Sequence, residues 1–198
     1  MNAPLWQPIL DFWFLPAGAP GCGQARPEWF RKDAGFDAQI RVHFGPLLEQ
    51  ALSGALASWD SSPAGALARI LLLDQFTRNV FRDSARAFAG DALALASAQA
   101  VVARGDDRRL APLQRYFIYM PFEHAEDLAL QERSVALFTQ LQQEGEQKRG
   151  AFADALDYAL QHHALIARYG RFPHRNHLLG RASTPAEQEY LRQPGAGF

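Results

Sequence analysis

The chain has 198 residues, of which 48% are hydrophobic and 21% are charged, and its formal net charge is −1. This length fits one domain that buries roughly 70% of the surface of its unfolded chain, so a core can form without disulfides or metals. The near-neutral charge does not favour a nucleic-acid-binding protein. The single cysteine, Cys22, excludes an intrachain disulfide and a thiolate metal cluster.

Apolar residues recur at helical spacing through most of the chain, with no strand-like alternation of convincing length, which predicts an all-α fold. A short aromatic helix comes first, followed by a Pro/Gly-rich loop over 16–27 and a long second helix that ends near Trp59. The N-terminal apolar run is interrupted by Pro8 and Asp11 and has no basic flank. It therefore resembles neither a signal peptide nor a membrane span, and we expect a cytoplasmic protein.

The middle of the chain contains clear helix starts. Ser62 as N-cap and Pro63 at the first helical position begin a helix that is apolar on all sides from Leu67 to Phe76, which predicts burial. Further helices are predicted over about 84–103, from Pro112, and from Pro121 to about residue 143.

The last third begins with a polar linker over 145–150 and a helix over about 151–169 that stops at Gly170. Pro173 is expected to open a short helix, and Thr184 with Glu187 forms a capping box for the last one. About nine helices with short connections predict antiparallel hairpins in a single domain over 1–198.

The segment YMPFEHAEDL, residues 119–128, places four ionisable side chains beside an apolar stretch. Projection of the helix predicted from Pro121 points Glu123 and Asp127 inward, puts His124 at the border and makes Glu126 peripheral. A buried carboxylate needs donors or a raised pKa, so partners are expected elsewhere in the chain.

Two other segments supply such partners. Asp74 and Arg78 lie four residues apart in LLLDQFTRNVFR, and RYGRFPHRN crowds arginine and histidine around a helix stop and restart. A helix beginning at Pro173 offers free N–H groups to an anion. The predicted ligand-binding residues are Asp74, Arg78, Asn79, Arg82, Arg171, His174, Arg175 and Asn176.

Two functions are compatible with these three clusters. In the first, the arginines hold a small anionic ligand and Glu123, His124 or Asp127 acts as a catalytic acid or base. In the second, the protein is a helical adaptor for a peptide or protein, and the charges pair only with one another to fix the architecture. A cavity lined by all three clusters favours the first function, and complete mutual pairing favours the second.

Metals and cofactors receive no positive support from sequence motifs. Glu123, His124, Asp127, His163 and His174 could supply nitrogen and oxygen ligands, but the chain has no HExxH and no paired ExxH motifs. His163 is interpreted as a core histidine on the apolar stripe of its helix. Nucleotide-binding glycine motifs are also missing, so no metal and no cofactor are predicted.

Three long motifs carry a family resemblance: LLLDQFTRNVFR, YMPFEHAEDLALQERS and RYGRFPHRNHLLGRASTPAE, with LDFWF and an early WF pair adding to it. On these the chain resembles the bacterial domain of unknown function family 924. The resemblance implies an all-helical, tetratricopeptide-like right-handed superhelical array in a soluble bacterial protein. It implies no activity, and no catalytic residues are carried over from it.

Overall fold

The computed structural model describes residues 3–145 and 153–197, which form helices and turns and contain no strand. The all-α prediction is thus confirmed. We number eight helices, with α3 a continuous run of three stretches: α1 Gln7–Phe14, α2 Ala34–Leu52, α3 Pro63–Ile70, Leu71–Phe76 and Thr77–Val80, α4 Asp91–Arg104, α5 Pro112–Glu123, α6 Leu128–Gly145, α7 Ala153–Tyr169 and α8 Pro185–Leu191.

Local capping signals set several helix ends as predicted. The Ser62 Oγ accepts a hydrogen bond from Gly65 N at the start of α3. Thr184 and Glu187 form the reciprocal capping box of α8. Gly170 has a φ of 69° directly after α7, a left-handed conformation that glycine adopts without strain.

The predicted helix from Pro121 to about residue 143 is wrong. Pro121 lies inside the last turn of α5, where its missing N–H costs a single helical hydrogen bond, and the chain leaves the helix only after Glu123. A four-residue connection, 124–127, then leads to α6. The projection of one helix across this break therefore fails beyond Glu123.

Other boundaries also differ from the predictions. Helix α2 ends at Leu52 and α4 begins at Asp91, because 3-10 turns over Ala57–Ser61 and Ala85–Phe88 replace the expected helical residues. Pro173 opens only a three-residue 3-10 turn, Pro173–Arg175. Most of the predicted polar linker, residues 146–150, lies outside the described residues.

Helix α3 is the centre of the core, as predicted from its apolar circumference. The side chains from Leu67 to Leu73 include six that are wholly or almost wholly inaccessible, and α1, α2, α4 and α5 pack around them. The stretch Leu71–Phe76 is π-helical, a rare conformation that often accompanies functional sites. It carries Asp74 into the middle of the molecule.

Consecutive helices α5, α6 and α7 pack against each other, so the C-terminal half is built from sequential neighbours. The superhelical, tetratricopeptide-like arrangement stays a prediction. In the part of the chain that the structure describes, no helix has the length and apolar character needed to cross a membrane.

Candidate functional site

Asp74 is a completely buried carboxylate at the meeting point of α3 and α5. Its Oδ1 lies 2.6 Å from His124 Nδ1 and 3.1 Å from Arg78 Nη1, and its Oδ2 accepts from Gln75 Nε2 at 2.5 Å. Burial alone would raise its pKa, but Arg78 and His124 outweigh burial and hold the pKa below its ordinary value. Asp74 is therefore ionised and accepts hydrogen bonds only.

The pairing with Asp74 determines the tautomer of His124. Since an ionised carboxylate only accepts, His124 Nδ1 carries the proton and Nε2 carries the lone pair. Burial, reinforced by the charge of Arg78, lowers the pKa of His124 although Asp74 opposes the shift. A neutral imidazole with an oriented Nε2 results.

Glu123, the last residue of α5, is 4% exposed and lies beside this pair. Burial, with the nearby negative charge of Asp74, raises its pKa to about 8. Its inward orientation is thus confirmed. Among the described residues, the basic side chain within 4 Å of its carboxyl group is an imidazole rather than an arginine: Oε1 lies 3.5 Å from His162 Nδ1.

His162 reaches the same point from α7. Its Nδ1 donates to the Tyr158 carbonyl at 2.8 Å, and burial together with His124 lowers its pKa to about 3. One nitrogen or oxygen from each of Glu123, His124 and His162 lies within 4.8 Å of the other two. The structure brings together the last residue of α5, the residue that follows it and a residue of α7.

The prediction for His163 is wrong by one position. His162 is buried on a stripe with Ala155, Ala159 and Ile166, whereas His163 is only half-buried. Both histidines fit helical spacing from Ala159 and Ile166, so the sequence did not separate them.

Asp127 does not join the cluster, and its predicted inward orientation is wrong. It is exposed at the start of α6, where Oδ1 accepts from Leu130 N at 2.9 Å. The buried Gln131 side chain secures the turn instead: its Nε2 donates to the carbonyls of Glu123 at 2.6 Å and Ala125 at 2.7 Å. The helix break thus separates two carboxylates that a continuous helix would have aligned.

Arg78 bridges two carboxylates. Besides Asp74, it binds Asp91 in a bidentate pair with N–O distances of 2.8 and 3.0 Å. Arg175 lies on the other side of Asp91, at 3.4 Å, and also donates to the His124 carbonyl at 3.1 Å. Arg78 and Arg175, predicted to hold an anionic ligand, are thus bonded to the chain's own Asp91.

Asn79 and Arg82 meet a different carboxylate, Asp37 of α2. Asn79 Nδ2 donates to Asp37 Oδ1 at 2.7 Å, while Arg82 donates to both carboxylate oxygens at 2.5 and 3.0 Å. This pair attaches the end of α3 to α2. These hydrogen bonds do not involve the residues of the Glu123 cluster.

The 168–187 segment forms its own network. Arg171 binds Glu187 through two hydrogen bonds, at 2.6 and 2.8 Å, and the oxygens of Glu126 accept from Arg181 and from Phe172 N. Asn176 donates to Ser183 and accepts from Arg181. The prediction that Glu126 is peripheral is wrong. Its carboxylate accepts a hydrogen bond from the backbone at the place where the sequence predicted an anion site.

A surface groove of about 590 Å³ lies beside Arg171. Its walls are Arg168, Tyr169, Arg171, Thr184, Ala186 and Glu187, all from this C-terminal segment. His174 is half-buried nearby, and burial with the charge of Arg175 lowers its pKa to about 4. This groove does not join the three predicted clusters.

The Arg171–Glu187 pair predicts a pH-dependent contribution to stability. The hydrogen bond from Arg171 lowers the pKa of Glu187 from 4.5 to about 2. Because a depressed carboxyl pKa stabilises the fold above the unfolded value, the contribution is complete above pH 4.5 and is lost as pH falls to about 2. Urea unfolding should show that the difference in free energy of unfolding between the wild type and Glu187→Gln becomes smaller as the pH falls over this range. A gap that is constant with pH would contradict the ion pair.

Sequence reasoning missed Asp37, Asp91, His162 and Arg181 as members of these networks. Asp91 carried a signal, because a carboxylate in the first turn of a helix favours the N-terminal dipole. Its choice of Arg78 as partner depends on how α4 packs on α3, which spacing along the chain does not encode.

The fold and the site define an all-helical protein with a buried Asp–His pair and a carboxylate–imidazole cluster. The chain belongs to the family of bacterial proteins of unknown function DUF924, whose model matches residues 9–195. A solved structure of a protein of unknown function, ATU0120 from Agrobacterium tumefaciens, is 38% identical over 95% of this chain and 97% of that chain, with a TM-score of 0.78. No curated protein matches the chain.

Proposed function

We propose that the protein binds a small polar molecule where α3, α5 and α7 meet, and transfers a proton to or from it through His124. The observation that carries this proposal is the 2.6 Å contact between Asp74 and His124 Nδ1. A carboxylate in this position orients an imidazole and stabilises its protonated form, which is how Asp–His pairs support general acid–base catalysis.

Glu123 supports the same proposal by its position. It is buried beside His124 and His162. A buried carboxylate ordinarily pairs with a cation, but none of the ion pairs of the described residues joins Glu123 to an arginine. Burial of such a group costs stability, and a bound molecule can offset that cost. A role in binding or reaction explains why this destabilising burial is present, whereas a packing role does not.

The pairing of the arginines favours a neutral polar ligand over the anion expected from sequence. Arg78 and Arg175 bind Asp91, Arg82 binds Asp37, and Arg171 binds Glu187. An anion would have to displace a protein carboxylate from a charge-assisted pair at each position.

Ligand-dependent stabilisation tests the proposal. A library of small polar metabolites should contain a compound that raises the melting temperature of the wild type by about 5–10 °C at 100-fold its Kd. His124→Gln should lose this shift, because glutamine still donates to Asp74 but offers no basic nitrogen. Melting curves without ligand check that the variant folds.

Asp127→Asn is the matched control, since asparagine also caps helices and position 127 lies on the surface. It should keep the full ligand shift. An equal shift in His124→Gln, or no stabilising compound for the wild type, would sink the proposal.

The helical adaptor is the alternative function. The pairing of the arginines with the chain's own carboxylates supports the part of this alternative in which the charges serve only the architecture. If the charges serve only architecture, substitutions of Arg78 or Arg82 lower stability and no small molecule changes the melting temperature. A stabilising metabolite whose effect needs His124 would rule this alternative out.

A further inference from the structure

We infer that Glu123, His124 and His162 form a binding site for one divalent transition-metal ion of the zinc class. The three side chains are buried, and one ligand atom from each lies within 4.8 Å of the other two. The inference deepens the proposed function and rests on it for the use of the ion, whereas binding of the ion is measured separately.

The separations suit a small ion. Tetrahedral zinc with bonds of about 2.0–2.1 Å holds its ligands about 3.4 Å apart, so this cluster needs to close by at most about 1.4 Å. Glu123 Oε1 lies 3.5 Å from His162 Nδ1, so the carboxylate is already in contact with this ring, which would offer its other nitrogen, Nε2, to the ion. Rotation of side chains can supply the rest.

Both imidazoles are held in the orientation that metal sites use. His124 Nδ1 donates to the Asp74 carboxylate, and His162 Nδ1 donates to the Tyr158 carbonyl, which places the lone pair of each ring on Nε2. Histidine ligands almost always donate their other nitrogen to a carboxylate or a backbone carbonyl in this way. The cluster thus has ordered supporting groups as well as candidate ligands.

Charge gives an independent reason for a cation. Asp74, Asp91, Asp37, Glu126 and Glu187 each have an arginine partner. Glu123, which is more buried than most of these, meets an imidazole instead. A divalent ion would neutralise this carboxylate and bind the two imidazoles at once.

The donor set selects the kind of ion. Two imidazole nitrogens and one carboxylate oxygen suit zinc and its neighbours in the first transition row, whereas magnesium and calcium prefer oxygen ligands only. Three protein ligands leave a fourth position for water or a ligand, the pattern of catalytic rather than structural zinc sites. An imidazole nitrogen that binds the ion cannot also take up a proton. In the metal-bound protein, water at the fourth position would have a lowered pKa and would replace His124 as the base of the proposed function.

The experiment is titration of the full-length protein, first stripped with a chelator, with zinc chloride alone. Calorimetry and elemental analysis after gel filtration should give one zinc per chain. His162→Gln and Glu123→Gln should each weaken binding by more than the 10–100-fold that loss of a supporting group costs, and Asp74→Asn should weaken it by about 10–100-fold. His163→Gln, one residue away on the same helix, should bind zinc like the wild type.

X-ray absorption of the wild-type zinc complex reads the ligands without any variant. Two imidazoles with oxygen ligands are expected. Because this measurement uses only the wild type, it tests the inference even if a substituted protein fails to fold. No stoichiometric zinc, fewer than two imidazoles, or equal affinity in a folded His162→Gln would overturn the inference. Zinc binding without any stabilising metabolite would leave the site standing and remove the proposed function, whereas the reverse pattern would remove only the metal.

Discussion

Replacing Gly90 with alanine is expected to lower the free energy of unfolding by at least about 3 kcal/mol, because the new methyl group meets backbone rather than a movable side chain. A Cβ at position 90 would lie 2.1 Å from the Leu73 carbonyl oxygen and 2.9 Å from the Leu73 Cα. Gly90 is where the start of α4 touches the π-helical stretch of α3.

The collision has consequences for the site. Asp91 follows Gly90 directly and reaches Arg78 only because α4 begins so close to α3. Pushing the two helices apart would lengthen the Asp91–Arg78 pair and loosen the surroundings of Asp74. We therefore expect loss of folding or, at lower temperature, a folded protein without the zinc affinity of the wild type.

Urea unfolding of Gly90→Ala beside Gly45→Ala checks this prediction. Gly45 lies inside α2, and a Cβ there meets nothing within 4 Å. Alanine at 45 should therefore be tolerated with little loss. If Gly90→Ala unfolds at the same urea concentration as the wild type, the close packing of α4 on α3 is wrong.

Arg78→Met is expected to cost about 3–5 kcal/mol of stability, since it leaves two carboxylates without their shared cation. Asp74 is completely buried, and Asp91 keeps only the longer contact to Arg175. Methionine preserves much of the apolar stem of arginine, so most of the loss should come from charge.

A double variant separates pairing from packing. If Arg78 mainly neutralises Asp91, then Arg78→Met combined with Asp91→Asn should be more stable than the sum of the two single losses predicts. Arg192→Met is the matched control, because the Arg192–Glu189 pair is about 70% exposed at both ends and should contribute less than about 1 kcal/mol. Equal losses for Arg78→Met and Arg192→Met would contradict a central role for Arg78.

Several features were predictable because they depend on neighbouring residues. The N-cap at Ser62, the capping box at Thr184 and the stop at Gly170 all appear where the local pattern indicated them. The Asp74–Arg78 contact at 3.1 Å is also local, since residues four apart lie on one side of a helical turn. The family resemblance drawn from three motifs is confirmed over residues 9–195.

The contents of the site were predictable only in part. Glu123, His124 and Asp74 do meet, although Asp74 and His124 lie 50 positions apart. Asp127 lies outside the cluster because α5 ends at Glu123. The sequence did not reveal this end, since a proline in the last turn of a helix gives the same local pattern as a proline that starts one. The cytoplasmic location and the partner stay predictions.

By itself the sequence determined the all-helical class, the buried centre at α3 and most of the helix starts, because periodicity and capping act over three or four residues. Only the tertiary structure decided between His162 and His163, which differ by a rotation of about 100° around one helix axis. It also decided which arginine serves which carboxylate. Arginines are chemically alike, and their choice of partner depends on the packing of α3, α4 and α7 rather than on spacing along the chain.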